Sequence, residues 1–296
     1  MTRPATEPTD ARRPPAQRVV SLLPSATDVL TALGAGDALV GVTFECDVPA
    51  GLDPRVVSST TLPEGLAPAE IDARVSAAAA AGEDLYRLHT DALADLDADL
   101  VITQDLCAVC AVDAGTVGEA LAHLGTDADV LTLDPRTLDD VLDTVATVGR
   151  AIGREDAAAA LVLDLRARLD AVVRRVAGRP RPRVVVLEWT DPPFGPGHWI
   201  PEMVELAGGA CVLGWPGERS RPTTFDDVAA ARPDVVVVAP CGYDLAQARA
   251  LADDLVERGV LPAGVPVAAV DADAHWVRPG PGLVGGVEEL SAILHP

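Results

Sequence analysis

An α/β fold of two lobes with mainly parallel sheets, joined by a single long helix and enclosing a ligand cleft, is predicted by three features of the sequence. Continuous apolar, β-branched runs such as VVVL at residues 184–187 alternate with helical segments, the pattern of strands covered on both faces. The same strand and helix order occurs twice along the chain, which means two similar lobes, each with its own sheet. Between the copies, residues 138–178 are helical in pattern almost throughout. With 296 residues, 49% of them hydrophobic, the chain has enough apolar surface for two cores.

The first lobe, residues 18–135, opens as a βαβ unit. Residues 18–23 (RVVSLL) form a strand, Pro24 and Ser25 start a helix, Gly34 and Gly36 stop it, and residues 38–43 form the second strand. Phe44, Glu45, Cys46 and Asp47 follow that strand, and residues 55–58 read as a third. An acidic helical region at 67–81, a short helix near 91–96, a strand at 99–103, a helix at 116–124 and a strand at 129–133 complete the lobe.

Residues 136–180 form the connection, with a break at Gly153 and a second part, 156–176, long enough to run ~30 Å. Arg166, Arg168, Arg174 and Arg175 alternate there with apolar positions, as on a helix with one packed face. The second lobe, 181–296, begins with the strand at 184–187, a loop from Glu188 to Trp199, and a helix with Pro201 in its first turn that ends at Gly208 and Gly209. Its next unit, DDVAAARPDVVVVAPCG at 226–242, lies against DALADLDADLVITQDLC at 91–107, with Asp234 matching Asp99. A strand at 267–270 and a helix at 283–294 end the chain.

Composition removes several function classes. The 23 basic residues against 45 acidic ones give a net charge of -22, so the overall field repels nucleic acid and anionic lipid. Every basic residue is arginine, which rules out a Schiff-base lysine and a phosphate-loop lysine. The first βα turn, LLPSAT, has no glycine fingerprint for a dinucleotide, and Ser25 lacks the context of a nucleophile elbow. No run approaches the ~18 apolar residues of a membrane span, so no membrane insertion is expected. Residues 1–17 are polar and Pro-rich without an apolar segment, and read as a disordered leader of a cytoplasmic protein.

The segment SLLPSATDVLTALGAGDALVGVT at 21–43, the loop DPPFGPGH at 191–198 and RPGP at 278–281 together resemble the periplasmic binding proteins for cobalamin and iron-siderophores. The resemblance covers most of the chain from Arg18 onward, and is strongest to the cobalamin-binding members. It implies two Rossmann-like lobes on a rigid connecting helix, no enzymatic activity, and a bulky metal chelate as ligand, with cobalamin or a related corrinoid first. It also implies delivery to the permease of an ABC importer. Each lobe of such proteins presents an acidic residue to permease arginines, and the matching positions here are Asp91 and Asp226. Because residues 1–17 carry no export signal, two roles stand open: a soluble carrier inside the cell, or an importer subunit whose signal lies upstream of Met1.

Aromatic residues are only 3% of the chain, yet Phe44, Trp189, Phe194, Trp199, Tyr243 and Trp276 all fall just beyond a predicted strand end. Flat ring faces gathered there suit a large planar ligand such as a corrin or porphyrin. The resemblance places Phe44, Phe194 and Trp276 at cleft aromatics of the cobalamin binders. His198 and His275 flank the same region, and a neutral imidazole there can hydrogen-bond or ligate a metal.

Cysteine supplies a second reading. Cys107 and Cys110 form a CxxC after one strand, Cys241 follows the duplicated strand, and Cys46 follows the second strand. Four thiols converging between lobes would hold zinc or an iron-sulfur cluster in a cytoplasmic metalloprotein. Small cysteines buried in a Val- and Ala-rich core are the alternative, and Cys211, inside an apolar run, reads that way.

Overall fold

The computed structural model describes residues 15–104, 114–124 and 128–296. In the first lobe the chain runs through β1 (Val19–Ser21), α1 (Pro24–Ala32), β2 (Leu39–Val42), β3 (Arg55–Val56), β4 (Ser58–Thr60), α2 (Pro68–Ala81), β5 (Tyr86–Leu88), α3 (Thr90–Ala94), β6 (Leu100–Thr103), α4 (Ala114–Leu124) and β7 (Asp129–Thr132). β3, β2, β1, β6 and β7 lie side by side in that order, all parallel. Alternation along each strand sends side chains to opposite faces. Val19 and Ile102 therefore pack on α1, while Val20 and Val101 pack toward α3 and α4.

The pattern reading missed one feature of this lobe. Residues 58–60 leave the main sheet as β4 and pair antiparallel with β5, with Ser58 opposite Leu88 and Thr60 opposite Tyr86. The leader was also expected to be disordered through residue 17, but its last residues are tied down. Ala16 N–H donates to the Ala151 carbonyl at 2.9 Å, and Gln17 N–H to Asp99 Oδ2 at 2.9 Å.

The connection is α5 (Leu138–Ala151) and α6 (Glu155–Val176). The break expected at Gly153 divides the connection into an antiparallel pair, of which α6 is the long helix. Gly153, at φ +67°, turns the chain back, and Gly149 lets the helices close, because a Cβ there would sit 2.4 Å from the Ala158 Cβ. Leu138, Val141 and Leu142 of α5 with Leu165, Leu169 and Val172 of α6 belong to the second lobe's core. Val145, Val148 and Ile152 with Ala158 belong to the first. Both helices thus span both cores, and the 22 residues of α6 run about 33 Å.

The second lobe continues with β8 (Arg183–Leu187), β9 (Trp189–Thr190), β10 (Pro193–Gly195), α7 (Ile200–Leu206), β11 (Ala210–Cys211), β12 (Arg221–Pro222), α8 (Phe225–Ala230), β13 (Val235–Val238), α9 (Leu245–Glu257), β14 (Val267–Ala269), α10 (Ala272–His275) and α11 (Leu283–Leu294). Its parallel sheet has the order β11, β8, β13, β14. Val184 and Val186 face α7 and α11, and Val185 and Leu187 face α8 and α9. Each fully buried side chain of this kind contributes roughly 1.5–3 kcal/mol of apolar transfer. α11 is fastened to α6 by Arg168, whose Nε and Nη2 donate to the two Glu288 carboxylate oxygens at 2.9 and 2.7 Å.

The duplication is visible in detail. Asp99 accepts the Arg18 backbone N–H at 3.1 Å, and Asp234 accepts that of Arg183 at 2.8 Å. The Arg18 side chain donates to the Leu96 and Asp97 carbonyls, and that of Arg183 to the equivalent Ala231 and Arg232 carbonyls. Asp97 and Arg232 share φ +46°.

Candidate functional site

Parallel strands deliver their carboxyl ends to one edge of a sheet, and the residues just beyond them gather there. In the first lobe Phe44 follows β2, and its ring centroid lies 5.7 Å from that of Tyr86 on β5 at a 32° tilt. In the second, Trp189 on β9 meets Tyr243 edge-on, with centroids 5.7 Å apart and planes at 68°. Each lobe therefore carries one aromatic pair beside its strand ends. Phe44 is exposed, and Trp189, Tyr86 and Tyr243 are half-buried, so each pair keeps part of its surface in contact with solvent.

Trp189 also reaches the other lobe. Its Nε1 donates to the Pro68 carbonyl at 3.3 Å, at the start of α2, and shares that hydrogen with the Asp191 carbonyl at 3.1 Å. The expected loop between Glu188 and Trp199 is partly a hairpin, β9 with β10, extended by β12 into a three-stranded antiparallel sheet. Phe194 lies directly opposite Trp189 in that pairing, so the two rings share one face. Glu188 Oε1 accepts the Gly197 N–H at 3.1 Å and fixes the loop that follows.

The placement of two tryptophans is corrected. Trp199 is 4% exposed and Trp276 0%, both inside the second core. Trp199 Nε1 donates to the Trp276 carbonyl at 2.8 Å, and Trp276 Nε1 to Glu289 Oε2 at 3.2 Å. Both rings follow strand ends as the sequence reading required. The turns into α7 and α10 then fold them inward, where burial of a large ring outweighs exposure at the cleft.

His198, just before α7, adopts φ +48°. Its N–H donates to the Glu218 carbonyl at 2.6 Å, its carbonyl accepts from Gly217 N–H at 3.0 Å, and its ring tilts on Trp199. Burial lowers its pKa, and the charges of Arg219 and Arg136 lower it further, so the imidazole is held neutral. Its Nε2 is buried without a hydrogen-bond partner among the described residues, as is Nδ1 of His275. The neutral His198 ring has one nitrogen able to accept a hydrogen bond or coordinate a metal, and its Nε2 is closed off from solvent in this structure.

Glu45 and Asp47, beside Phe44, belong to a polar cluster that spans the lobes. Tyr86 Oη donates to Glu45 Oε1 at 3.0 Å. Burial pushes the Glu45 carboxyl up, against the pull of that hydrogen bond and of Arg278. Arg278, from the segment before α11, donates to Asp47 Oδ2 at 2.5 Å. Sequence reasoning passed over Tyr86, because β5 was not expected. It noted Arg278 only within RPGP, without the partners that give it meaning.

Of the four thiols, Cys107 and Cys110 lie outside the described residues. Cys46 packs against the first core with its Sγ 3.0 Å from Thr27 Oγ1, and burial pushes its thiol up. Cys241 is exposed, and Cys211 is half-buried against the second core with its thiol pushed up to about 11 by burial. Among the described residues no group of three or more His, Cys, Asp or Glu side chains is placed to hold a metal ion. Asp91 and Asp226 both lie exposed in the first turn of equivalent helices, α3 and α8. No helix among the described residues is long and apolar enough to cross a membrane.

Comparison with known proteins follows the same outline. The cobalamin-binding protein of Halobacterium salinarum strain R1 is 26% identical over 290 residues, which cover 94% of this chain and 69% of that protein. The structure of the periplasmic vitamin B12 binding protein BtuF of Vibrio cholerae superposes with a TM-score of 0.67 at 20% identity, covering 95% of this chain and 97% of that one. The periplasmic heme binding protein HutB of Vibrio cholerae superposes with a TM-score of 0.69 at 20% identity, covering 95% and 99%. These neighbours are binding proteins, not enzymes. The family model described as "Periplasmic binding protein" matches residues 19–261, and the chain belongs to that family.

Proposed function

We propose that this chain is a substrate-binding protein of the cobalamin, heme and siderophore type, and that its ligand is a corrinoid held between the lobes. The observation that carries the reading is the aromatic pair on each lobe, Phe44 with Tyr86 and Trp189 with Tyr243. Ring faces from two sides suit a broad planar chelate, and closing on it removes apolar surface from water. The 26% identical cobalamin-binding relative supports the same ligand class.

Charge favours a corrinoid over a heme. Asp28, Glu45, Asp47 and Asp273 surround the single guanidinium of Arg278. A ligand edged with amides can donate hydrogen bonds to such groups, whereas one edged with carboxylates meets repulsion. Nε2 of His198, buried without a partner among the described residues, would become a further acceptor or metal ligand once ligand binding uncovers it. Asp91 and Asp226, equivalent under the duplication, are the proposed docking pair for an importer permease. Cell fractionation separates the two roles open in the sequence, since a cytoplasmic pool fits an internal carrier and an exported pool fits delivery.

Calorimetric and visible-band titrations with cyanocobalamin, hemin and a ferric hydroxamate siderophore test the reading. One cyanocobalamin bound per chain, at least about tenfold tighter than hemin, is the expected result. Tighter hemin binding would overturn the corrinoid choice, and absence of heat with all three would remove the ligand class.

A further inference from the structure

We propose that the segment from Arg278 to Gly280 is a clasp that closes the second lobe over Asp28 of the first, and that closing it takes a proton onto that carboxyl. The clasp does not depend on the identity of the ligand.

The geometry begins within the second lobe. Asp273 on α10 grips one edge of Arg278, taking hydrogen bonds from Nε at 2.9 Å and Nη2 at 2.5 Å. Such a two-point grip fixes the plane and direction of a guanidinium. The remaining nitrogen, Nη1, points across the gap to Asp47 Oδ2, and Nη2 also reaches the Glu45 carbonyl at 3.5 Å. The Arg278 side chain is only 13% exposed, while that of Asp47 is 79% exposed. Two residues further on, Gly280 lies over the first turns of α1. A Cβ at that position would be 3.7 Å from the Ser25 carbonyl oxygen and 3.8 Å from the Asp28 Cβ.

Asp28 is therefore covered by a piece of the opposite lobe. The charged groups facing it are Arg278 and Asp273 from the second lobe and Asp47 from the loop after β2. The Cys46 thiol lies on that same loop and feels its charge, and Asp271 acts on Asp273. α5, which also packs on α1, turns Asp139, Asp140, Asp143 and Arg150 outward to solvent. Asp28, Asp47 and Asp273 thus share one guanidinium, and removal of water from Asp28 is the dominant influence on it. Burial raises its pKa to about 6, with Arg278 opposing and Asp47 and Asp273 reinforcing.

Opening the lobes withdraws the Arg278 to Gly280 segment and returns Asp28 to water, where a carboxyl titrates near ~3.9. The closed form then binds the proton more tightly than the open form, so closure weakens as Asp28 ionises above pH ~6 and strengthens as pH falls. Between pH 7 and pH 5 the ratio of closed to open molecules rises roughly tenfold from this group alone. Below about pH 4 the gain levels off, because Asp28 then carries its proton in the open form as well. Glu45, whose pKa burial also raises, adds in the same direction to the extent that closure buries it.

Carboxyl-carbon NMR titration of Asp28 in the full chain, with its resonance identified by the loss on Asp28→Asn, tests the clasp. The native midpoint is expected near 6. Replacing Arg278 by Gln separates a clasp from a local charge effect, because the two move the midpoint in opposite directions. If Arg278 acts only as a neighbouring charge, its removal pushes the Asp28 midpoint up. If it holds the lobes together, its removal leaves carboxylates facing each other, the lobes part, and the midpoint falls toward ~3.9. A native midpoint at the ordinary carboxylate value, or an upward move in Arg278→Gln, would overturn the proposal.

Discussion

Arg278 on the second lobe lies 2.5 Å from Asp47 on the first, although the two are 231 residues apart in the chain. With Trp189 donating to the Pro68 carbonyl, it joins the lobes by contacts between side chains and loops beyond the paired helices α5 and α6. The helices set the spacing of the two cores. The loop contacts set how the cleft edges meet, and that division of labour gives each group of residues a different response to mutation.

Trp276 is a core residue, so Trp276→Ala is expected to destabilise the protein by roughly 3–5 kcal/mol. Urea unfolding measures this, and affinity corrected for the folded fraction should stay close to native. A stable variant with weakened ligand binding would instead return Trp276 to the cleft.

Phe44 and Trp189 should behave in the opposite way. Phe44→Ala and Trp189→Ala are each expected to weaken corrinoid binding about 10- to 100-fold, with stability changed by no more than about 1 kcal/mol. Paired calorimetric titrations and denaturation curves check both halves of the statement.

Asp99 and Asp234 accept equivalent backbone N–H groups at the start of β1 and β8. Both are exposed, so Asp99→Ala and Asp234→Ala should each cost on the order of 1 kcal/mol. Similar shifts in unfolding midpoint are expected from the two variants. A large difference would show that the lobes use the duplicated contact unequally.

Thiol labelling separates the cysteines by environment. Burial raises the Cys46 and Cys211 thiols, while Cys241 is exposed. Mass spectrometry after brief alkylation near pH 8 should find Cys241 modified well before Cys46 and Cys211. Equal rates would mean that the lobes or cores open on the labelling timescale.

Much of the scaffold was legible because its physics is local. The short β-branched runs of β8 and β13 suited strands covered on both faces, and Asp99 and Asp234 marked the duplication. The folding back of α5 on α6 was not legible, since helical periodicity does not say where a helix packs. Trp199 and Trp276 were misplaced because an aromatic residue beyond a strand end has the same pattern whether it turns inward or outward. The β4 and β5 pair was missed because its strands are short and partly exposed. Arg278 was hidden for a different reason: its charge acquires a role only when a loop 231 residues away arrives beside it.

A crystal structure of the protein grown with cyanocobalamin tests the central claim most directly. The corrin ring is expected between the lobes, touching Phe44 or Tyr86 on one side and Trp189 or Tyr243 on the other. A corrinoid bound to one lobe alone, or outside the cleft with those rings untouched, would contradict it.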